Sequence, residues 1–175
     1  MRLSSERHRE TPCGEFDIRI GPDGTWFYHG SPITRKPLVK LFASVLRRDD
    51  SGAYWLETPA EKGRIAVDDA PFVAVELTVA GTGLEQQLTF RTNIDEIATA
   101  GADHHIRVTV DTDSGAPRPY VALGRGLEAL IARPVFYQLV ELGVEEPQAD
   151  GTTAYGVWSC GRFFPLGRAD WSDGS

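Results

Sequence analysis

Two stretches of this chain run through the same order of local signals, and that repetition limits the available folds more than any other feature. In the first, Phe16, Ile18 and Ile20 alternate with Asp17 and Arg19, the period of a strand with one buried face. Pro22-Asp23-Gly24 then makes a turn, and Thr25-Trp26-Phe27-Tyr28 returns as the second arm of a hairpin. A helical pattern follows over 37–48, with Leu38, Leu41, Phe42, Val45 and Leu46 on one stripe. Pro37 suits its first turn, and Arg47 and Arg48 suit its C-terminal end. Strand-like Ala53-Tyr54-Trp55-Leu56 closes the pass. In the second stretch, strand-like runs at 88–92, 106–110 and 120–123 precede a short helical pattern at 126–132 and a strand-like run at 135–140. This order predicts an α+β fold made of duplicated β-rich lobes. Each lobe is a curved antiparallel sheet carrying one short helix, the two helices in equivalent places. A cleft between lobes is the default place for a ligand.

The boundaries follow from the punctuation. Residues 1–10 read as a disordered tail, 11–80 as the first lobe, 81–168 as the second and 169–175 as a second tail. Further strands are predicted at 54–57, 64–67 and 72–79. Residues 94–101 read as a helical turn or a loop, and 111–119, with its glycine and two prolines, as a connector. Thr58-Pro59-Ala60-Glu61 reads as the start of a helical turn with Thr58 as its cap. Pro134 is read as the end of the helix at 126–132. The β-branched and aromatic run Val135-Phe136-Tyr137-Gln138-Leu139-Val140 is then a strand, pairing across the 143–153 loop with 154–159.

The chain has 175 residues, enough for a real core, and a formal charge of −7. A net negative field repels phosphate backbones, which argues against nucleic acid as a partner. The two cysteines, Cys13 and Cys160, fit a reducing compartment better than a disulfide scaffold. The N-terminal ten residues are polar, unlike a secretory signal. No apolar run approaches the roughly 18 residues of a membrane helix. A cytoplasmic protein with no membrane partner is the expectation.

The motifs are weak. Gly124-Arg125-Gly126-Leu127-Glu128-Ala129 matches a dinucleotide-binding pattern. No βαβ alternation surrounds it, and Glu145 and Glu146, the acids at the right distance, fall in an apparent hairpin loop, so a plain tight turn is the better reading. Asp111-Thr112-Asp113-Ser114-Gly115 opens like a calcium loop, but Ala122 stands where the bidentate acid is required. His104 and His105 point to opposite faces of a strand, and Cys160 has no partner at metal-ligand spacing. No metal or cofactor is expected. Ser159 and Thr58 lack the surroundings of a nucleophile.

Arginine carries the strongest site signal. Arg35, Arg91, Arg125 and Arg133 lie at the edges of predicted elements, where a guanidinium can fork onto carboxylate or phosphate. Internal pairing with Asp68, Asp69, Glu61 or Glu128 is the competing reading. Trp26 and Tyr120 are candidates to stack on a base or ring, and Thr92 and Asn93, beside Arg91, complete the predicted ligand-binding set.

A series of blocks carries a family resemblance. They include Cys13-Gly14-Glu15-Phe16-Asp17-Ile18-Arg19-Ile20, Ser31-Pro32-Ile33-Thr34-Arg35, Thr58-Pro59-Ala60-Glu61 and Val67-Asp68-Asp69-Ala70-Pro71-Phe72. Thr89-Phe90-Arg91-Thr92-Asn93, Leu127-Glu128-Ala129-Leu130-Ile131-Ala132-Arg133 and Gly156-Val157-Trp158-Ser159 follow in order. Together they resemble the bacterial domain-of-unknown-function family 1285, over nearly the whole chain. The resemblance implies a duplicated α+β fold whose second half is superficially similar to pleckstrin-homology domains. It also implies a nucleotide-like ligand between the halves and a role in signal transduction, with no catalytic residues to carry over.

Three readings follow. The first is a non-enzymatic module that binds a nucleotide-like anion between its lobes, with a signalling protein as a further partner. The second is a protein-interaction module without a small ligand, using aromatics such as Trp158 and Phe163. The third is a hydrolase or transferase with Asp68 or Asp69 as its base.

Overall fold

The computed structural model describes residues 13–168, with side chains over 14–167; the tails predicted at 1–10 and 169–175 lie outside the described residues. The first half contains β1 (Cys13–Ile20), β2 (Trp26–Tyr28), β3 (Ser31–Pro32), α1 (Lys36–Ser44), β4 (Leu46–Arg48), β5 (Tyr54–Glu57) and β6 (Lys62–Val67). Its six strands form one sheet in the order β3-β2-β1-β6-β5-β4. The second half begins with β7 (Phe72–Ala80), β8 (Gln87–Thr92), β9 (Ile97–Thr99), β10 (Ile106–Val110), β11 (Pro117–Gly124) and β12 (Leu127–Ile131). These form a second six-stranded sheet in the order β9-β8-β7-β12-β11-β10.

The two orders are the same pattern displaced by six strands. In each, two antiparallel three-stranded meanders join through a parallel pair, β1 with β6 and β7 with β12. The sheets are therefore mixed, where purely antiparallel ones were predicted. Two β-rich lobes and two helices are present, but the repeat belongs to the strands. α1 links the two meanders of the first lobe. α2 (Arg133–Glu141) comes after the last strand of the second sheet and leads to β13 (Val144–Pro147), β14 (Thr153–Ser159) and β15 (Arg162–Arg168), a separate three-stranded sheet.

The second helix corrects two expectations. Residues 127–131, predicted helical, are β12, and residues 135–140, predicted strand, lie in α2. Gly124, Arg125 and Gly126 all have positive φ, +99°, +55° and +73°, and turn β11 back into β12. Leu127, Ala129 and Ile131 are then buried alternately with Glu128 and Leu130, a period of two. Pro134 opens α2 near its N-terminus, where its missing N–H is harmless. Val135, Phe136 and Leu139 fall on one buried helical face. The strand pairing with β14 is β13, in register Val144 to Gly156.

α1 is shorter than predicted and turned on its axis. Val39 and Ala43 are its buried residues, while Leu41 is 62% exposed and Leu38 is exposed. Phe42 is half-buried and stacked on Trp26, centroids 6.3 Å apart. The helix stops because the Ser44 hydroxyl donates to Leu41 O at 2.6 Å and Val45 N tightens onto Phe42 O. Leu46 is fully buried as a strand residue paired with Leu56. Residues 97–99, inside the predicted turn or loop, form β9. The Thr58 oxygen accepts from Ala60 N and Glu61 N, closing the β5–β6 turn with no helix following. Asp111 accepts from Asp113 N and Ser114 N in the β10–β11 hairpin turn.

Buried residues of both large sheets and both helices form one core cluster, from Ile20, Leu46 and Ile65 to Phe72, Phe90, Val121, Ile131 and Leu139. Ser159, fully buried, donates to Ala100 O at 2.7 Å and accepts from Leu88 N at 2.9 Å. It fastens β14 to the second lobe, and its environment is that of a structural hydroxyl. Among the described residues, no helix is long and apolar enough to cross a membrane.

Candidate functional site: the groove between the lobes

The two lobes meet at two polar junctions, one at each end of α1. The first centres on Glu128 of β12. Arg107, directly across β10–β11 from Tyr120, lays its guanidinium 4.4 Å from that ring's centroid and forks onto Glu128 at 2.7 and 3.0 Å. Arg48 of the first lobe, directly across β4–β5 from Tyr54, lies 5.6 Å from the Tyr54 centroid and reaches Glu128 only at 3.9 Å. Each lobe thus presents one arginine stacked on a tyrosine, and both face a carboxylate whose side chain is 19% exposed. A groove of about 330 Å³ lies here, lined by Arg48, Arg107 and Glu128 with His105, Asp103 and the glycines of the Gly124-Arg125-Gly126 turn. Arg125, at the tip of that turn, donates to Ser44 O at the end of α1 (3.3 Å) and has no carboxylate partner among the described residues.

A second layer holds the tyrosine wall. The Tyr120 hydroxyl donates to Asp69 Oδ1 at 2.6 Å, and Arg118 bridges Asp69 and Asp111. Burial and the Asp69 hydrogen bond push the Tyr120 phenol above its ordinary pKa. The hydrogen bonds that Arg107 donates to Glu128 raise the pKa of its guanidinium, so that cation is permanent.

The second junction centres on Asp95, in the β8–β9 loop with φ of +66°. Its Oδ2 receives both Lys36 and Lys40 of α1 at 3.0 Å, and its Oδ1 receives Arg91 at 3.0 Å. These hydrogen bonds, Lys40 foremost and then Lys36, hold the Asp95 carboxyl at about 2. Arg91 also binds Glu76 at 2.9 Å. Beside it, Asn93 accepts from Val73 N at 3.0 Å and donates to Gly24 O at 3.3 Å, joining the two lobes.

The eight residues singled out from sequence therefore separate. Trp26, Arg35, Arg91, Thr92 and Asn93 gather around the Asp95 junction. Trp26 is only 1% exposed beneath Phe42, so its face is not open to a base or ring. Thr92 is fully buried, its hydroxyl accepting from Ile94 N and Glu96 N. Arg35 is exposed at the start of α1. Tyr120 and Arg125 belong to the Glu128 groove. Arg133 stands apart, lining a cavity of about 430 Å³ between α2 and the β10–β11 hairpin. Sequence reasoning missed Arg48, His105 and Arg107. From sequence Arg48 reads as a helix-end cation, whereas it lies in β4, and no local pattern signals that strands from different lobes bring two arginines together. Asp68 is tied to Arg19 by three hydrogen bonds, and Asp69 to Tyr120 and Arg118, so both carboxylates are already engaged.

Comparison with known proteins gives the family. The N-terminal domain of the DUF1285 family matches residues 6–70, and the C-terminal domain of the same family, a protein of unknown function, matches 71–166. The chain belongs to the DUF1285 family. A DUF1285 protein of Silicibacter pomeroyi, known from its crystal structure, is 47% identical with a TM-score of 0.86, the match covering 94% of this chain and 87% of that one. A DUF1285 protein of Shewanella baltica is 30% identical with a TM-score of 0.55, over 70% of this chain and 88% of that one. A comparison with curated proteins finds no match.

Proposed function

We propose that this chain is a non-enzymatic binding module that takes an anionic, nucleotide-like ligand in the groove beside Glu128. The observation that carries this reading is the pair of tyrosine-backed arginines, one from each lobe, with Arg125 carboxylate-free at the rim. Stacking on a tyrosine fixes a guanidinium in the plane from which it can fork onto a phosphate. Arg48, at 3.9 Å from Glu128, is the least committed of the two and the one a ligand oxygen can recruit. The chain's overall negative charge does not oppose this, because the groove collects its own local cations.

A cytoplasmic signalling role with a protein partner extends the reading. A pleckstrin-homology-like second lobe is part of the same proposal, and the two antiparallel meanders of β7–β12 followed by the helix α2 are what support it. The interaction-only reading has less support: Trp158 and Phe163 are half-buried and pack on each other at 5.5 Å.

Thermal-shift and calorimetric titration with a panel of nucleoside mono-, di- and triphosphates tests the proposal. A saturable response in the wild type should weaken about ten- to a hundredfold in Arg48→Ala and Arg125→Ala, the loss of one charge-assisted hydrogen bond each. Both variants should melt close to the wild type without ligand. The reading fails if no nucleotide binds, or if both variants bind as the wild type does.

A further inference from the structure

The Asp95 junction carries an inference that goes beyond the groove. Lys36 and Lys40 share a single carboxylate oxygen, both at 3.0 Å, and Arg91 takes the other oxygen together with Glu76. Three cations thus converge on two carboxylates. Arg35, adjoining Lys36, adds a fourth positive charge with no ion pair among the described residues. Two lysines on one oxygen are each only partly satisfied, since an ammonium has three donors.

A cavity of about 310 Å³ opens beside this excess charge, between the lobes, with Lys36, Thr34, Asn93 and Trp26 in its wall. Trp26 supplies the second observation. Its indole N–H is buried and has no hydrogen-bond partner, the sole such side-chain atom among the described residues. A buried unpaired donor is costly and calls for an acceptor. The wall also includes Asp23, whose Oδ1 is already held by Thr25 N at 3.0 Å.

We infer that this cavity is a second anion site, for a phosphate group, with Lys36 as the cation in its wall, Lys40 sharing the same Asp95 oxygen behind it, and the Trp26 indole as a donor from the floor. Asp95 holds the lysines in place and competes with the incoming anion for them. The phosphate is either free or the end of a small phosphomonoester, which share this chemistry.

Isothermal titration of the full chain with inorganic phosphate tests the site, with ribose 5-phosphate in parallel and chloride holding ionic strength constant. Saturable binding is expected. It should weaken about tenfold in Lys36→Met, which alters an exposed side chain, and several-fold in Trp26→Phe, which keeps the stack on Phe42. Asp95→Asn should tighten binding several-fold, an effect that a purely structural ion pair would not produce. Equal affinity for the two probes assigns free phosphate, and tighter ribose 5-phosphate binding assigns a monoester; either supports the site. Absence of saturation in both the wild type and Asp95→Asn overturns it. So does phosphate binding that survives in Lys36→Met but falls in Arg48→Ala, which would place the anion in the Glu128 groove instead. Failure of every nucleotide to bind leaves these outcomes unchanged, so the two readings are separable.

Discussion

The junctions at Glu128 and Asp95 use the same device and differ in how firmly it is set. Each sets one carboxylate of the second lobe between an arginine of its own lobe and cations of the first. Glu128 is 19% exposed, receives a two-pronged arginine and lies beside stacked tyrosines. Asp95 is 41% exposed and holds two flexible lysines through one oxygen. A forked, half-buried pair keeps its geometry, while an exposed lysine pair is screened and exchanges partners readily. The contrast teaches that the rigid junction can pre-organise a site, and the loose one can yield its cations to a competitor.

The largest expected effect lies beside Asp95, at the joint that the Asn93 carboxamide makes between the lobes. Asn93→Ala should cost about 2 kcal/mol, because it strands the Val73 N–H that the carboxamide now satisfies. In a chain of this size that is a fall of about 4–8 °C in melting temperature, readable by calorimetry. Glu128→Ala should cost less, about 1 kcal/mol, since Arg107, half exposed, would lose both hydrogen bonds but keep water and its tyrosine. Equal melting temperatures for Glu128→Ala and wild type would mean that the groove is not rigid.

Tyr120→Phe comes next, at about 1 kcal/mol for one hydrogen bond to Asp69. It also carries a pH signature. The Tyr120 phenol is raised above its ordinary value in the folded chain, so its contribution is complete below an unfolded pKa of about 10. That contribution is lost as pH rises beyond it. Removing the hydroxyl should blunt the alkaline limb of a stability–pH profile, which denaturant midpoints at successive pH values would show.

Asp95→Asn should have the smallest effect on stability at neutral pH, and about 1 M salt should erase it. Its signature lies in acid. The folded carboxyl titrates at about 2 against an unfolded value of about 3.9. Its contribution is therefore present above about pH 4 and lost as pH falls toward 2. Wild type and Asp95→Asn should converge over that window. If they stay apart, the lysines are not held by the Asp95 charge.

Much of the strand pattern was open to reading in sequence, because it is local. The hairpin around Pro22-Asp23-Gly24, the alternation in β1 and the runs that became β5 to β8 all follow from spacing and turn chemistry. The second helix was not, because proline signals a helix start and a helix stop with the same residue. At Pro134 only the buried alternation of Leu127, Ala129 and Ile131 on one side, and the helical spacing of the buried Val135, Phe136 and Leu139 on the other, decides between them. The phase of α1 was equally hidden. Leu41 looks like a core residue until the lobe that buries Val39 and Ala43 is in place. The site residues needed still more: the stacking of Arg48 on Tyr54 and Arg107 on Tyr120 is set by strand register, and their approach to Glu128 by the packing of one lobe on the other.

The parallel pairs that close each sheet bear on how the chain comes off the ribosome. β1 finds its central partner only when β6 has been made, about fifty residues later, and β7 waits similarly for β12. Until then each nascent lobe consists of meanders whose innermost strands have one open edge, and closing such long loops is slow. An unpaired edge is also where a partly made chain joins a neighbour. Truncations ending shortly before β6 or β12 should therefore aggregate during synthesis, while those ending after Val67 or Ile131 leave each sheet with its full set of strands. The order of translation, rather than the strength of any one contact, sets when this protein becomes safe to release.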